Sequence, residues 1–495
     1  MSVVLGLPKK LLPSPEASLS EGCSSQWVKI QPNNVASVVN NSFNGFTVST
    51  DTTTIPMVSQ EVRFSVPVGM GKNVWCDTSK TTLSFRVNYE ITGASASSGG
   101  TTAFASFLQG SAMSFWDRLQ VLNSNGVAID DVNGLASIEL HKQNWTFDSA
   151  ERDSVGLAYG YRSENSSSDS ANYLQGHKID SLTSASAILP VRNCLYSYEM
   201  PLPSSFLGAG AKGFVPIGAL QRLDVYLTTA SIVPISCSVG ANLLTAPTLK
   251  ITIDNISINA YYITLDDKSS ALLGSPKIHY LHGVTNRSST ATIPAQSSGL
   301  QSILIGLRGQ SVRSLATRFY DQTKTTTGSV NGQFDSKSPL CSQLNYFLQG
   351  KDRVPPNPHN TNNAIATVFM RALQASEAFN SKDFRYGGDN ESFAKYLNVT
   401  VAPTSANGFD QNLVNAGNTT SLSSLASFTF AEDLRKASTS AILDGYNLSQ
   451  SANNYLEMNI TNASASSNNT NVVFIASMDI IYLIDMEQGT VDFRV

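Results

Sequence analysis

Two stretches of this chain, Leu249 to Leu265 and Val472 to Ile484, carry β-branched and aromatic side chains at a density suited to long, well-buried strands. Each closes a similar series. The first series contains Leu119-Gln120-Val121-Leu122-Asn123, a helical stretch from Gly134 to Asn144, and Leu223-Asp224-Val225-Tyr226-Leu227. The second contains Leu344-Asn345-Tyr346-Phe347-Leu348, a helical stretch from Ala364 to Phe379, and Tyr455-Leu456-Glu457-Met458-Asn459-Ile460. Matching elements lie about 220 to 230 residues apart. Residue identity between the halves is low, so the repeat is one of strand and helix order. Two similar β-units in tandem are the expectation.

Length agrees: 495 residues exceed what one core organises, and two units of roughly 200 residues each are expected. The chain is 41% hydrophobic, enough for two cores, but only 14% charged against about a quarter in ordinary soluble proteins. Ser, Thr, Asn and Gln replace the charges, giving a hydrated, weakly self-repelling surface suited to dense packing against copies of itself. Net charge is −4, and the first fifty residues set Lys9, Lys10 and Lys29 against Glu16 and Glu21. Nucleic-acid condensation needs clustered Lys and Arg for counterion release, so a genome-binding arm is disfavoured.

Cys23, Cys76, Cys194, Cys237 and Cys341 are scattered and odd in number, indicating neither a zinc site nor a disulfide framework. Buried thiols in a reducing compartment are expected. His141, His177, His279, His282 and His359 show no metal-ligand spacing. Val3 to Leu7 is too short for the core of an export signal, and Lys9-Lys10 follow it rather than precede it. Sequons at Asn144, Asn255, Asn398 and Asn459 are what chance supplies in so Asn-, Ser- and Thr-rich a chain.

Residues 1–40 are Ser- and Pro-rich and read as an extended arm. Thr82 to Ile91 alternates, with Leu83, Phe85, Val87 and Tyr89 on one face of a half-buried strand. Asn123-Ser124-Asn125-Gly126 is a tight-turn signal between Arg118–Leu122 and Val127–Ile129. Leu135, Ile138 and Trp145 follow at helical spacing. Residues 148–186 and 400–427 are polar excursions, as is the loop at 321–340. Pro355, Pro356 and Pro358 are expected to keep residues 351–363 out of regular structure, after which Asn362 or Asn363 caps the second helix. A polar stretch ending at 275 reads as a linker.

Enzymatic signatures are missing: there is no nucleophile elbow, Walker loop, HExxH or dinucleotide fingerprint. Gly69-Met70-Gly71-Lys72 lacks phosphate-loop spacing and reads as a turn. Asp130-Asp131 and Asp266-Asp267 lack the further oxygen donors of a calcium loop and read as cap and turn residues. Glu432-Asp433 beside Arg435-Lys436 reads as a solvated helical turn. Phe115-Trp116 and Tyr261-Tyr262 lack the flanking positive charge of a base-stacking platform and are expected in core or interface packing. Lys351-Asp352-Arg353 reads as a subunit-contact loop.

Antiparallel strands in two stacked sheets, with a helix in one connection and long excursions in others, describe a jelly roll. The run Phe115 to Leu122 with its turn and helix, the helix Ala364 to Phe379, and the last strand ending Ile481-Tyr482-Leu483-Ile484 resemble the double jelly-roll major capsid proteins of icosahedral double-stranded DNA viruses. That lineage includes adenovirus hexon, virophages, adintoviruses and polinton-like elements. The resemblance implies an all-β fold of two tandem eight-stranded sandwiches with short helices in connecting loops. It divides the chain into an arm (1–40), a first jelly roll (41–267), a linker (268–275) and a second jelly roll (276–495). It implies a virion protein, made in the host cytoplasm, whose homotrimers form pseudo-hexameric blocks tiling an icosahedral shell. The excursions would be tower or intersubunit loops. Its partners would be itself, penton and minor capsid proteins, with room for an internal membrane and no sequence-specific nucleic-acid binding. It implies no enzyme, cofactor, metal or catalytic residue. A surface adhesin or glycan-binding β-sandwich, a single-stranded RNA virus coat with shell and protruding domains, and a β-sandwich hydrolase with paired carboxylates at strand ends are the rival readings.

Overall fold

The computed structural model describes residues 23–34, 46–47, 59–92, 95–96, 104–108, 110–146, 155–160, 178–182, 192–231, 234–239, 243–245, 248–273, 276–322, 336, 339, 341–361, 365–379, 428–436, 445–449, 453–460 and 469–494. The first half supplies β1 (Ser24–Ile30), β2 (Glu61–Ser65), β3 (Val74–Thr92), β4 (Trp116–Leu122), β5 (Ala128–Asn133), β6 (Arg192–Pro201), β7 (Asp224–Thr229) and β8 (Thr248–Thr264). The second supplies β9 (Ile278–Ile293), β10 (Gly299–Leu304), β11 (Val312–Asp321), β12 (Cys341–Leu348), β13 (Asp352–His359), β14 (Phe430–Asp433), β15 (Tyr455–Ile460) and β16 (Thr470–Asp485). A last strand, β17 (Thr490–Arg494), pairs with the end of β16.

Strand order reveals the repeat. The first half forms one sheet β1-β8-β3-β6 and another β2-β7-β4-β5. The second half forms β9-β16-β11-β14 and β10-β15-β12-β13. Counting from the first strand of each half, both read 1-8-3-6 and 2-7-4-5, antiparallel throughout. That order is a jelly roll, made twice. In both halves a helix follows the fifth strand: α1 (Leu135–Thr146) after β5 and α3 (Ile365–Phe379) after β13. A short helix between the halves, α2 (Asp267–Leu273), begins where Asp266 accepts a 2.9 Å bond from the Ser269 amide.

Local sequence explains these elements. Along β3, Leu83, Phe85, Val87 and Tyr89 are buried, while Ser84, Arg86, Asn88 and Glu90 between them are half-exposed. Phe85 packs edge-on to Trp116 at 5.4 Å, joining the two sheets of the first barrel. In the second barrel Tyr346 lies 4.6 Å from Phe430 and shares a 2.8 Å hydrogen bond with Thr317. The hairpin at Asn123–Val127 forms as expected, with Gly126 at φ 73°. Along β16 the alternation vanishes because both faces are covered. Val472, Phe474, Ala476 and Met478 fill the second core, while Val473 and Ile475 pack outside it with Ala316, Ala372 and Ala375.

Three expectations need correction. Residues 24–30, read as part of the arm, are an edge strand in register with β8 from Ser24↔Thr264 to Ile30↔Ile258. On the side facing the barrel only Val28 and Ile30 are covered, Ser24 and Gln26 being exposed and polar, while the apolar Trp27 faces outward, so the sequence lacks the usual apolar alternation. Residues 352–359 are a strand despite three prolines. β13 is an edge strand whose pairing with β12 breaks between Val354 and His359, so the prolines sit where no ladder donor is needed. Glu432 and Asp433 lie in β14 rather than a helical turn. Glu432 is buried against the His359 ring at 3.1 Å, and only Asp433 pairs with Arg435.

Segments from three first-half connections come together. Phe104–Leu108, Lys178–Leu182 and Ile235–Val239 come from three different connections and form a three-stranded sheet. The span 148–186 contributes the edge strand at 178–182, paired with the middle strand at 104–108, whereas 400–427 and nearly all of 323–340 lie outside the described residues. The expected cap residues Asn362 and Asn363 also lie outside them.

Burial decides thiol behaviour. Cys76 and Cys341 are buried, and desolvation pushes both thiols up to about 12. Peptide mapping after iodoacetamide at pH 8 is expected to find both unmodified in native protein and modified in urea. Labelling of either in the native state would contradict the packing.

Candidate functional site: the seam between the two barrels

A two-barrel block keeps its shape only if the barrels cannot slide, so their seam is the candidate site. Its centre is Asp130 on β5, 2% exposed. The Ser204 hydroxyl (2.7 Å) and the Ser205 amide (2.6 Å), both in the β6–β7 connection, donate to its Oδ2. Thr285 on β9 of the second barrel donates to its Oδ1 at 3.2 Å. A buried carboxylate costs several kcal/mol unless donors surround it, so this one ties three segments and both barrels together. Beside it, the Ser205 and Tyr482 hydroxyls are 2.6 Å apart, and Phe206 meets the Tyr482 ring edge-on at 4.8 Å. Burial first, and then the charge of Asp130, hold the Tyr482 phenol well above its ordinary range. Tyr482→Phe keeps the ring and loses one bond, so a stability loss of about 1 kcal/mol is expected in urea titration.

The backbone joins too. Between β6 and β7 the chain runs alongside β9: the Val284 amide donates to Gly210 O (2.7 Å), the Lys212 amide to His282 O (2.8 Å), and Ala211 bridges Gly283. On its other side Phe214 and Val215 pair with Asp77 and Cys76 of β3. One hydrogen-bonded surface therefore crosses from barrel to barrel. The approach is close enough to demand glycine: a Cβ on Gly210 would lie 2.4 Å from Val284 O, and one on Gly283 2.4 Å from Ser205 O.

Further contacts lie beside the crossing, within the second barrel and between the barrels. Asp479, also buried, accepts from Ser311 Oγ (2.7 Å), contacts His282 Nε2 (2.9 Å) and lies 3.6 Å from Arg313. The Lys212 amine beside this cluster has a lowered pKa, first from burial and then from Arg313, partly offset by Asp479. At the chain's end, Asn123 Nδ2 donates to Val491 O (2.9 Å) and the Gln221 amide to Gly489 O (3.1 Å). At the helices, Trp145 of α1 lies 6.0 Å from Phe369 of α3.

His141 on α1 is buried, and desolvation, then Arg318 and Lys142, lower its pKa to about 3. The unfolded chain takes up this proton near pH 6.5 and the folded chain does not. Stability is therefore expected to fall as pH drops from about 6.5 towards 3. Comparing the acid slope of the melting temperature with that of His141→Phe checks this; equal slopes would contradict it.

Sequence reasoning expected no catalytic, cofactor or metal residue, and it missed the seam. Asp130, a cap or turn residue by its sequence context, is instead a buried strand residue, while Asp131 forms a two-bond pair with Arg118 at 2.6 and 2.8 Å. Trp116 and Phe115 are core residues, and Tyr262 is buried with its hydroxyl on Pro67 O. Tyr261 is at the surface under the Lys80 amine, 4.0 Å from the ring centre. Gly71 is in a turn, its amide on Gly218 O. Among the described residues no three His, Cys, Asp or Glu side chains come together as a metal-holding group.

No protein-family model and no curated sequence matches the chain. Solved structures do. A chain of the Sputnik virophage structure is similar at TM-score 0.53 and 10% identity, covering 95% of this chain and 88% of that one. The mavirus major capsid protein gives 0.52 and 11%, covering 95% and 90%. A chain of the PBCV-1 virus capsid gives 0.50 and 12%, covering 96% and 97%. Together with the strand order, these likenesses over nearly the whole length establish the fold: the chain is a double jelly-roll protein.

Proposed function

We propose that the chain is a major capsid protein whose homotrimers, six barrels in a ring, tile the shell of an icosahedral double-stranded DNA virus. The observation that carries the reading is the seam. It joins unlike surfaces: β5, α1 and the β6–β7 connection of the first barrel meet β9, β16 and β17 of the second. A head-to-tail joint leaves one free surface of each kind on every chain, and such joints propagate into closed rings when the rotation allows. Three two-barrel chains give a block with nearly hexagonal outline from one gene product. The fold shared with the mavirus major capsid protein supports the same role. The low charge content supports dense lateral packing.

In this reading the protein is structural and resides in the virion. Penton and minor capsid proteins are its further partners, and a membrane beneath the shell is compatible with it. Light scattering coupled to size exclusion tests it: the expected mass is three times the 53.0 kDa of one chain. A strictly monomeric protein at high micromolar concentration would overturn it.

A further inference from the structure

One row of outward side chains crosses both barrels. The strand registers run Trp27↔Tyr261, Tyr261↔Asp77 and Asp77↔Phe214 on the first barrel. The bridge Ala211↔Gly283 carries Phe214 on to a position opposite Tyr280, and the row continues Tyr280↔Leu483↔Asp492. Trp27 is 59% exposed, Phe214 44% and Tyr280 53%, with Ile278 beside them at 42%. Seven strand positions at about 4.8 Å make the row about 29 Å long. Exposed aromatics aligned over that distance are an interaction surface, not scattered surface residues.

We infer that this row is where a second copy of the chain docks, an inference that rests on the assembly reading above. The occupant follows from the row's own repeat. On the first barrel an aromatic of the first strand (Trp27) stands beside a large side chain of the last strand (Tyr261), with Asp77 next in line. On the second barrel Tyr280 of the first strand stands beside Leu483 of the last, with Asp492 next in line. A partner touching both motifs alike must itself repeat at the barrel-to-barrel spacing, and a two-barrel chain does. The row also lies on a sheet face rather than on loop tips, which suits a lateral neighbour more than a lipid surface. Charged pairs accompany it, as in the polar parts of protein contacts: Lys80 with Asp77 (3.5 Å) in the first-barrel half of the row, Lys277 with Glu487 (3.3 Å) beside the second-barrel half.

Trp27→Ser, Tyr280→Ser and the double variant test it. Both side chains are more than half exposed, so folding is spared, and circular dichroism checks this. Half-assembly concentrations are expected to rise about tenfold for each single variant and about a hundredfold for the double. Trp27 also reports directly. Trp75 and Trp116 are buried and Trp145 is half-buried, so the emission of wild-type protein should shift to the blue as chains associate, a change absent from Trp27→Ser. If wild type assembles and the double variant assembles equally well, this inference falls and the capsid reading stands. If wild type stays monomeric at every concentration, both fall. A blue shift of monomers only on phosphatidylcholine–phosphatidylglycerol vesicles would reassign the row to lipid.

Discussion

Asp130→Ala is expected to lower stability by about 3 to 5 kcal/mol, although the residue belongs to neither hydrophobic core. The substitution leaves the Ser204 hydroxyl, the Ser205 amide and the Thr285 hydroxyl without their acceptor. Each stranded buried donor costs about 1 to 3 kcal/mol, and water has no ready access at 2% exposure. Because Thr285 belongs to the other barrel, the loss should also uncouple the halves. Urea unfolding of wild type should show the two barrels melting together, and the variant two separated transitions. Asp130→Asn keeps one acceptor oxygen and should cost roughly half as much. A shift below about 1 kcal/mol for Asp130→Ala would mean that the carboxylate does not hold the seam.

Gly210→Val should be as damaging for a steric reason. The first added carbon lies 2.4 Å from Val284 O and 2.9 Å from Ser205 Cα, both backbone atoms that cannot rotate away. The crossing segment must therefore lift off β9, losing the hydrogen bonds from Val284 and Lys212. A loss of about 3 kcal/mol or more is expected. Gly213→Ala, three residues on, is the control. Its Cβ would meet only Leu281 Cδ1 at 3.4 Å, an ordinary contact, so its effect should stay within about 1 kcal/mol. Equal melting temperatures for the two variants would rule out the close crossing.

The repeat was legible because it is written in periodicity. Leu83, Phe85, Val87 and Tyr89 announce a strand with one buried face, and all four are buried. The helix after the fifth strand of each half was visible from apolar spacing alone. Elements whose neighbours override local pattern were not visible. In β1 an apolar Trp27 faces outward while Ser24 and Gln26 on the other side are polar, so no alternation marks the strand. The prolines of β13 contradict a strand until its edge position is known. Glu432 and Asp130 look solvated in sequence because their partners, His359 and Thr285, are far away along the chain. Gly210 and Gly283 are two glycines among 33, singled out only by the backbone each one meets. Local periodicity encodes the barrels; the seam is encoded by long-range pairs that no local pattern reveals.

Single-particle electron microscopy of the purified protein tests the central claim most directly. Class averages viewed down the symmetry axis should show a threefold particle with six barrel-sized lobes in a nearly hexagonal outline. A particle with two lobes at all concentrations, or an assembly in which the two barrels of one chain lie apart, would contradict it.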